Sequence, residues 1–356
     1  MRYIGNKENI IEKIQYILNS NEVCGNSFFD FFSGTANVAK HFKRSGYKVY
    51  SSDIMYMSFC LQMAYIKNNS TPTFETLLKD ITNAQPHSTL FDSPLDIVLN
   101  YLNNIKPTKG FIYNNYTPGG TAHLNIPRMY FSDENGMLID AIRQQIETWK
   151  TSKLITTNEY YILLACLIES VSFYANISGV YAAFQKKWDP RAIKRLTLRP
   201  IEIINNNKDN FVYNTNSISI ADKIEVDILY LDPPYNERQY LPNYHILETI
   251  ARYDNPTIKG VTGMREYQTE KSVFCNSKKA LEALDFVAQN AKYKFMVLSY
   301  NSEGIMEKHD IINTLSKYGH VRFEEFQYTR FKSNNNGLSK TKKHIYEQIY
   351  ILSRNE

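Results

Sequence analysis

No run of apolar residues in this chain reaches the roughly 20 needed to cross a bilayer as a helix. Its opening residues also lack the apolar core of a secretory signal. Both absences argue against a membrane location and lead us to expect a cytoplasmic protein. Cys24, Cys60, Cys166 and Cys275 are scattered without a C-x-x-C pair, which speaks against a disulfide framework and against zinc, and no bound metal is expected. The G-x-G-x-x-G fingerprint of NAD and FAD binding is missing, as are internal repeats and a low-complexity tail. What is there is a chain of 356 residues, 43% hydrophobic and 22% charged, enough for one large domain or a domain with an insert. The net charge of +5 mildly favours a polyanionic partner. Its 27 tyrosines can serve base stacking, although abundant Asn, Ile and Lys point to biased genome composition behind much of that excess.

The stretch that organises the rest is Tyr230-Leu231-Asp232-Pro233-Pro234-Tyr235-Asn236, which follows the apolar, β-branched run Val226-Asp227-Ile228-Leu229. That run reads as a buried strand. Two successive prolines cannot continue a central strand, so the chain turns sharply there and leaves Asp232 at the strand's carboxyl edge. In an open α/β sheet ligands bind at that edge. A carboxylate, a rigid turn and an aromatic ring suit an exocyclic amine on a planar base. Asp232 and the Pro233 carbonyl can each accept a hydrogen bond from the amino group, while Tyr235 stacks on the base face. On its own the tetrapeptide also reads as a strand-end turn whose Asp caps the next segment.

Upstream, Ser27 to Phe32 reads as a first strand, Ser33-Gly34-Thr35-Ala36 as a turn of small residues, and Asn37 to Phe42 as the start of a helix. Such a turn lets a ligand approach backbone N–H groups closely. Val49 to Asp53 is a second strand that ends in an acid 19 residues after Gly34, the spacing at which an acid bonds ribose hydroxyls in a nucleotide-binding βαβ unit. Phe211 to Asn216 and Lys294 to Asn301 are further strands, and Tyr328 to Ser333 with Tyr346 to Leu352 suits a terminal hairpin. Helical patterns occur at Ile10 to Leu18, Leu95 to Ile105, Met137 to Trp149, Tyr160 to Phe173 and Tyr244 to Ile250. Asn114 to His123 and Gly260 to Gln268 read as loops, the second of them mobile.

Asp232-Pro233-Pro234-Tyr235, with Leu229-Tyr230-Leu231 before it and Asn236 to Tyr240 after it, resembles the DPPY signature of the D12, or Dam-related, class of adenine-N6 DNA methyltransferases. Tyr3, Gly5 and Lys7 are similar to that family's Y-x-G-x-K opening. Phe32 and Gly34 match its F-x-G-x-G turn, where Ala36 replaces the second glycine and Phe31 stands where a proline is common. The resemblance implies a Rossmann-like class I methyltransferase: an α/β fold with a mostly parallel seven-stranded sheet and an inserted, mainly helical target-recognition region. Its order of motifs resembles the α group. The catalytic domain would comprise 1–62 and 200–356, and the insert 63–199.

The resemblance also assigns roles. Asp232, Pro233, Pro234 and Tyr235 would be catalytic. Tyr3, Gly5, Lys7, Asp30, Phe32, Gly34, Asp53 and Asn216 would hold S-adenosylmethionine, Asn216 replacing a usual acid. Lys7 could also meet a phosphate. Double-stranded DNA would be the substrate, contacted by Arg128, Lys187, Arg191, Arg238 and Arg265, with further contacts from the basic loop Asn334 to Lys343. The 237–243 and 260–268 loops would close over a flipped base and its orphan partner. His245 reads as structural rather than as a base, since the amine attacks as its lone pair develops. A restriction endonuclease of the same specificity is the implied companion, without direct contact, and the family likeness implies a short palindrome such as CATG as the target, although the sequence does not name the site. Three alternatives stay open: an N4-cytosine methylase, a methylase of RNA or a protein amide, and a DNA-binding protein that has kept an inactive methylase fold.

Overall fold

The structure, a computed structural model, describes residues 3–84, 93–329 and 344–354. It divides into two compact units. A sheet unit holds Ile4–Gln62, Ile204–Leu241 and Tyr267–Glu356; a helical unit holds Met63–Ile203 and Pro242–Glu266 together with Tyr3. The strands among the described residues are β1 (Ser27–Asp30), β2 (Lys48–Asp53), β3 (Phe211–Asn214), β4 (Glu225–Leu231), β5 (Ile258–Lys259), β6 (Met264–Arg265), β7 (Lys292–Asn301), β8 (Gly319–Thr329) and β9 (His344–Arg354).

All but β5 and β6 form one seven-stranded sheet in the order β3-β2-β1-β4-β7-β9-β8. The first five strands are mutually parallel, and β9 runs antiparallel between β7 and β8. This is the α/β sheet the sequence implied. A central parallel strand is covered on both faces and reads as a near-continuous apolar run; accordingly Val226, Ile228, Leu229, Tyr230 and Leu231 of β4 are all buried, and its charged residues, Glu225 and Asp227, lie at its partly exposed start. One face, with Phe29, Leu229, Leu231, Met296 and Leu298, shares a core with Leu284 and Val287 of helix Ala280–Asn290 and Ile311 and Leu315 of helix Lys308–Leu315. In the other direction from β1, Phe28 stacks on Phe42 of helix Asn37–Arg44 at 3.7 Å between centroids. From β1 the chain moves outward through β2 and β3, then returns to β1's other side as β4. The sheet therefore reverses its winding between β1 and β4, and ligands bind outside the strand ends at such a point.

In the helical unit, local capping fixes several helix starts. Ser93 and Asp96 form a capping box before Pro94–Asn103, Thr156 and Glu159 do so before Thr157–Tyr174, and Ser132 caps Asp133–Thr151. Helix Thr157–Tyr174 is apolar almost all round, with Leu163, Leu164, Leu167 and Ile168 fully buried, so it lies in the unit's core.

Three expectations are corrected. Asn114 to His123 is not all loop, because helix Phe111–Tyr116 runs into it. Its cap comes from another helix: the Asp140 carboxylate accepts from the N–H groups of Gly110, Ile112 and Tyr113 at 3.0, 2.9 and 2.8 Å. Gly260 to Gln268 contains the closing half of the β5–β6 hairpin. The terminal hairpin begins at Gly319, well before Tyr328. Its expected DNA-facing loop, Asn334 to Lys343, lies outside the described residues, as do residues 330–333.

Candidate active site

β1 and β4 end side by side: Asp30 is in register with Tyr230, and the Phe31 N–H donates to the Tyr230 carbonyl at 3.0 Å. Asp232 follows one residue beyond β4, its side chain 20% exposed. The turn after it has no N–H at Pro233 or Pro234 and is held by the Ile305 N–H, which donates to the Tyr235 carbonyl at 2.9 Å. The half-buried Tyr235 ring packs on the core beneath the sheet. Carboxylate and ring therefore stand on a stiff, anchored turn.

Lys7 is brought to the same place. Its buried Nζ lies 3.1 Å from Asp232 Oδ1 and 2.6 Å from Glu347 Oε1 on β9. Ser299 Oγ on β7 donates to that Glu347 oxygen. Burial alone would lower the Lys7 pKa, but the Asp232 and Glu347 carboxylates reverse this and hold it well above its ordinary value, so the ammonium stays charged. Burial pushes the Asp232 carboxyl up to about 7; Lys7 works against that rise and Glu347 adds to it. Asp30 is also raised to about 7, by burial and then by the charge of Asp232, although Ser33 Oγ and the Ala39 N–H donate to it at 3.2 and 3.1 Å. The expected donor contact Lys7 is thus a counter-ion of the Asp-Pro-Pro-Tyr carboxylate.

The small-residue turn is a tight backbone cradle. Gly34 and Ala36 both adopt left-handed φ, +51° and +59°. Asp53 Oδ2 accepts from the Gly34 N–H at 2.8 Å and Oδ1 from the Met55 N–H at 2.9 Å, which ties the ends of β1 and β2 together. The Phe32 ring meets Phe31 and Phe274 edge-on at 5.1 and 5.2 Å. Gly5, at φ +75°, has room for no Cβ without pressing on Tyr240 Oη. The Tyr3 ring stacks on Tyr244 at 4.4 Å. Asn214 Nδ2 donates to the Asp53 and Ile54 carbonyls, while Asn216, exposed, caps the short helix Ser217–Ile220.

The residues expected to meet DNA divide into two groups. Lys187 and Arg238 are exposed, and Arg191 is partly exposed while paired with Asp189 at 2.5 Å. Arg128 and Arg265 are buried. The Arg128 guanidinium donates to the carbonyls of Val261, Gly260 and Asn115 at 2.9, 3.0 and 3.0 Å, and Arg265 pairs with Asp254 at 2.7 Å. Both brace the β5–β6 hairpin, so their role in this structure is architectural: each buried guanidinium spends its donors on the protein's own carbonyl or carboxylate oxygens. His245 is fully buried, and its Nε2–H donates to the Tyr181 carbonyl at 3.1 Å. Burial lowers its pKa to about 4, leaving it neutral and structural.

Sequence reasoning missed Glu347 and Ser299. The signal for Glu347 was an acid in phase with Ile345, Ile349 and Ile351 on an alternating strand, where a solvent-facing residue would be out of phase.

A parallel sheet closed by an antiparallel β7–β9–β8 edge, with the Asp-Pro-Pro-Tyr turn at its switch point, defines a Rossmann-like amino-group methyltransferase. Residues 3–314 match the family model described as D12 class N6 adenine-specific DNA methyltransferase, and the chain belongs to that family. It is 38% identical over 358 residues to Type II methyltransferase M.FokI of Planomicrobium okeanokoites, covering 99% of this chain and 53% of that protein. It is 37% identical over 365 residues to Modification methylase StsI of Streptococcus sanguinis, covering 99% and 52%. With Type II methyltransferase M.NlaIII of Neisseria lactamica it shares 34% identity over 360 residues, 99% of each protein. The chain spans about half the length of the first two relatives and nearly all of the third. Family membership implies S-adenosylmethionine as the methyl donor.

Proposed function

We propose that this protein transfers a methyl group from S-adenosylmethionine to N6 of an adenine in a short duplex DNA site, as the modification activity of a restriction-modification system. The observation that carries the reading is the Asp232 carboxylate held on a proline-stiffened turn at the β1/β4 switch point, with Tyr235 three residues on. The chemistry of the strand ends suits the donor. S-adenosylmethionine has a sulfonium, an α-ammonium and two ribose hydroxyls, and Asp30 and Asp53 supply carboxyl groups at the ends of β1 and β2. The left-handed Gly34 and Ala36 keep the intervening backbone close-fitting.

N6 of a paired, stacked adenine is out of reach, so the base must leave the helix, at a cost of a few kcal/mol. Tyr235 stacks on the extruded base, and Asp232 and the Pro233 carbonyl accept from its amino group. That holds the nitrogen's lone pair toward the methyl carbon. The N–C bond forms as the C–S bond breaks, the sulfur takes the bonding pair to give S-adenosylhomocysteine, and N6 loses a proton to water. Orientation and fixed electrostatics supply the acceleration.

Reading of the DNA site is assigned to the helical unit, where Lys186, Lys187, Lys194 and Arg199 are exposed. Arg238, in the sheet unit, is a further candidate phosphate contact. The names of the relatives, modification methylase and Type II methyltransferase, support a cognate restriction endonuclease as a functional companion. An intact Asp232-Pro233-Pro234-Tyr235 turn weighs against an inactive DNA-binding relic, and the family description weighs against cytosine. Asp232→Ala is expected to abolish transfer while calorimetric donor affinity and Tm stay near wild type; loss of donor binding alongside activity would contradict the role given to Asp232. Tyr235→Phe should be mild and Tyr235→Ala severe, and equal losses would argue against stacking.

A further inference from the structure

We propose that Glu347 on β9 is a positioning residue that sets the pose of Lys7 and, through it, of Asp232, so that the C-terminal hairpin is part of the catalytic edge. The inference rests on the methyl-transfer reading above. Glu347 and Ser299 are both fully buried. A buried carboxylate in a strand position otherwise filled by Ile345, Ile349 and Ile351 is costly unless it is paired. Its Oε1 meets Lys7 Nζ at 2.6 Å and accepts from Ser299 Oγ, whereas Oε2 meets no hydrogen-bond partner among the described residues.

Lys7 carries its charge on a flexible four-carbon stem, and these two carboxylates fix where that charge lies. Shared with Glu347, the ammonium orients Asp232 without fully neutralising it. Without Glu347 the ammonium would close on Asp232 alone and compete with the substrate amine for the same oxygens. Among the described residues, Asp30 from β1, Tyr230 from β4 and Tyr328 from β8 are further ionisable groups facing this cluster.

A purely structural tie between β9 and the N-terminal segment would change stability but not the pH dependence of catalysis. The test is steady-state methyl transfer as a function of pH. Glu347→Gln is expected to lower kcat about 10- to 100-fold, the range for losing a charged hydrogen bond, with donor affinity within about threefold. Its acid limb in kcat/KM should move to lower pH, because a negative charge facing Asp232 is gone. Glu347→Asp should recover part of the rate. Lys7→Met should move the limb the opposite way, and Glu347→Gln should add no further loss in that background. If Glu347→Gln does not fold, Ser299→Ala serves: Oε1 then holds Lys7 alone, drawing it from Asp232, and the limb rises. A folded Glu347→Gln with unchanged kcat and limb, an additive loss with Lys7→Met, or a limb unmoved by Ser299→Ala would each overturn the inference. Wild-type protein that methylates adenine beside an indistinguishable Glu347→Gln refutes this inference alone. Wild-type protein that methylates no adenine refutes the reaction and the inference with it.

Discussion

Asp232 is placed between two opposing demands. A substrate amine needs an ionised acceptor, whereas burial favours the protonated acid and raises the carboxyl to about 7. We therefore expect kcat/KM to rise through about pH 7 and level above it; a profile flat from pH 5 to 8 would show that the ionisation of Asp232 is not required. Asp30 carries a stability consequence of the same shift. Its folded pKa, about 7, exceeds the unfolded value of about 4, so the native state binds more protons between them. That contribution to stability is greatest below about pH 4 and falls as pH rises through about 7. Asp30→Asn should flatten this part of the Tm-against-pH curve, and an unchanged curve would contradict the assignment. Asp232 and Tyr235 were legible because two prolines after an apolar run force a turn at a known kind of edge. Lys7 was singled out too, but its partner was not, since Glu347 lies 340 residues away and no local pattern joins them.

Elements whose ends are fixed locally, such as the helices capped by Ser93 and Thr156, could be read from the sequence. Helix Phe111–Tyr116 could not, because its cap is Asp140 on another helix. The β5–β6 hairpin is a similar case. Its segment resembles a loop, yet Arg128 holds two of its carbonyls and Tyr116 Oη donates to a third, that of Gly263, at 2.9 Å. Arg128→Ala should therefore cost about 3 kcal/mol in denaturant unfolding and make the hairpin a protease cleavage site. A variant of wild-type stability would return Arg128 to the list of DNA contacts. The β1 turn tolerates Ala36 at φ +59° where the family commonly has glycine. Ala36→Gly is expected to stabilise the protein by up to about 1 kcal/mol, and destabilisation would mean that the Ala36 methyl packs better than the strain costs.

Across the whole chain, apolar runs marked individual strands and a terminal hairpin, while the mostly parallel seven-stranded sheet was implied by the family resemblance that the order of motifs carries; both survive without any knowledge of contacts. Which insert residues face a nucleic acid did not follow, because a lysine or arginine looks the same in sequence whether it is exposed like Lys187 or buried like Arg128. Salt dependence of DNA affinity separates the two: Lys187→Ala should reduce the slope of log K against log salt by about 1, while a folded Arg128 variant should leave it unchanged. The central claim is most directly tested by incubating the protein with labelled S-adenosylmethionine and unmethylated genomic DNA, identifying the modified base by mass spectrometry and mapping its positions. The account predicts N6-methyladenine confined to one recurring short sequence. N4-methylcytosine, or donor binding with no label in DNA, would contradict it.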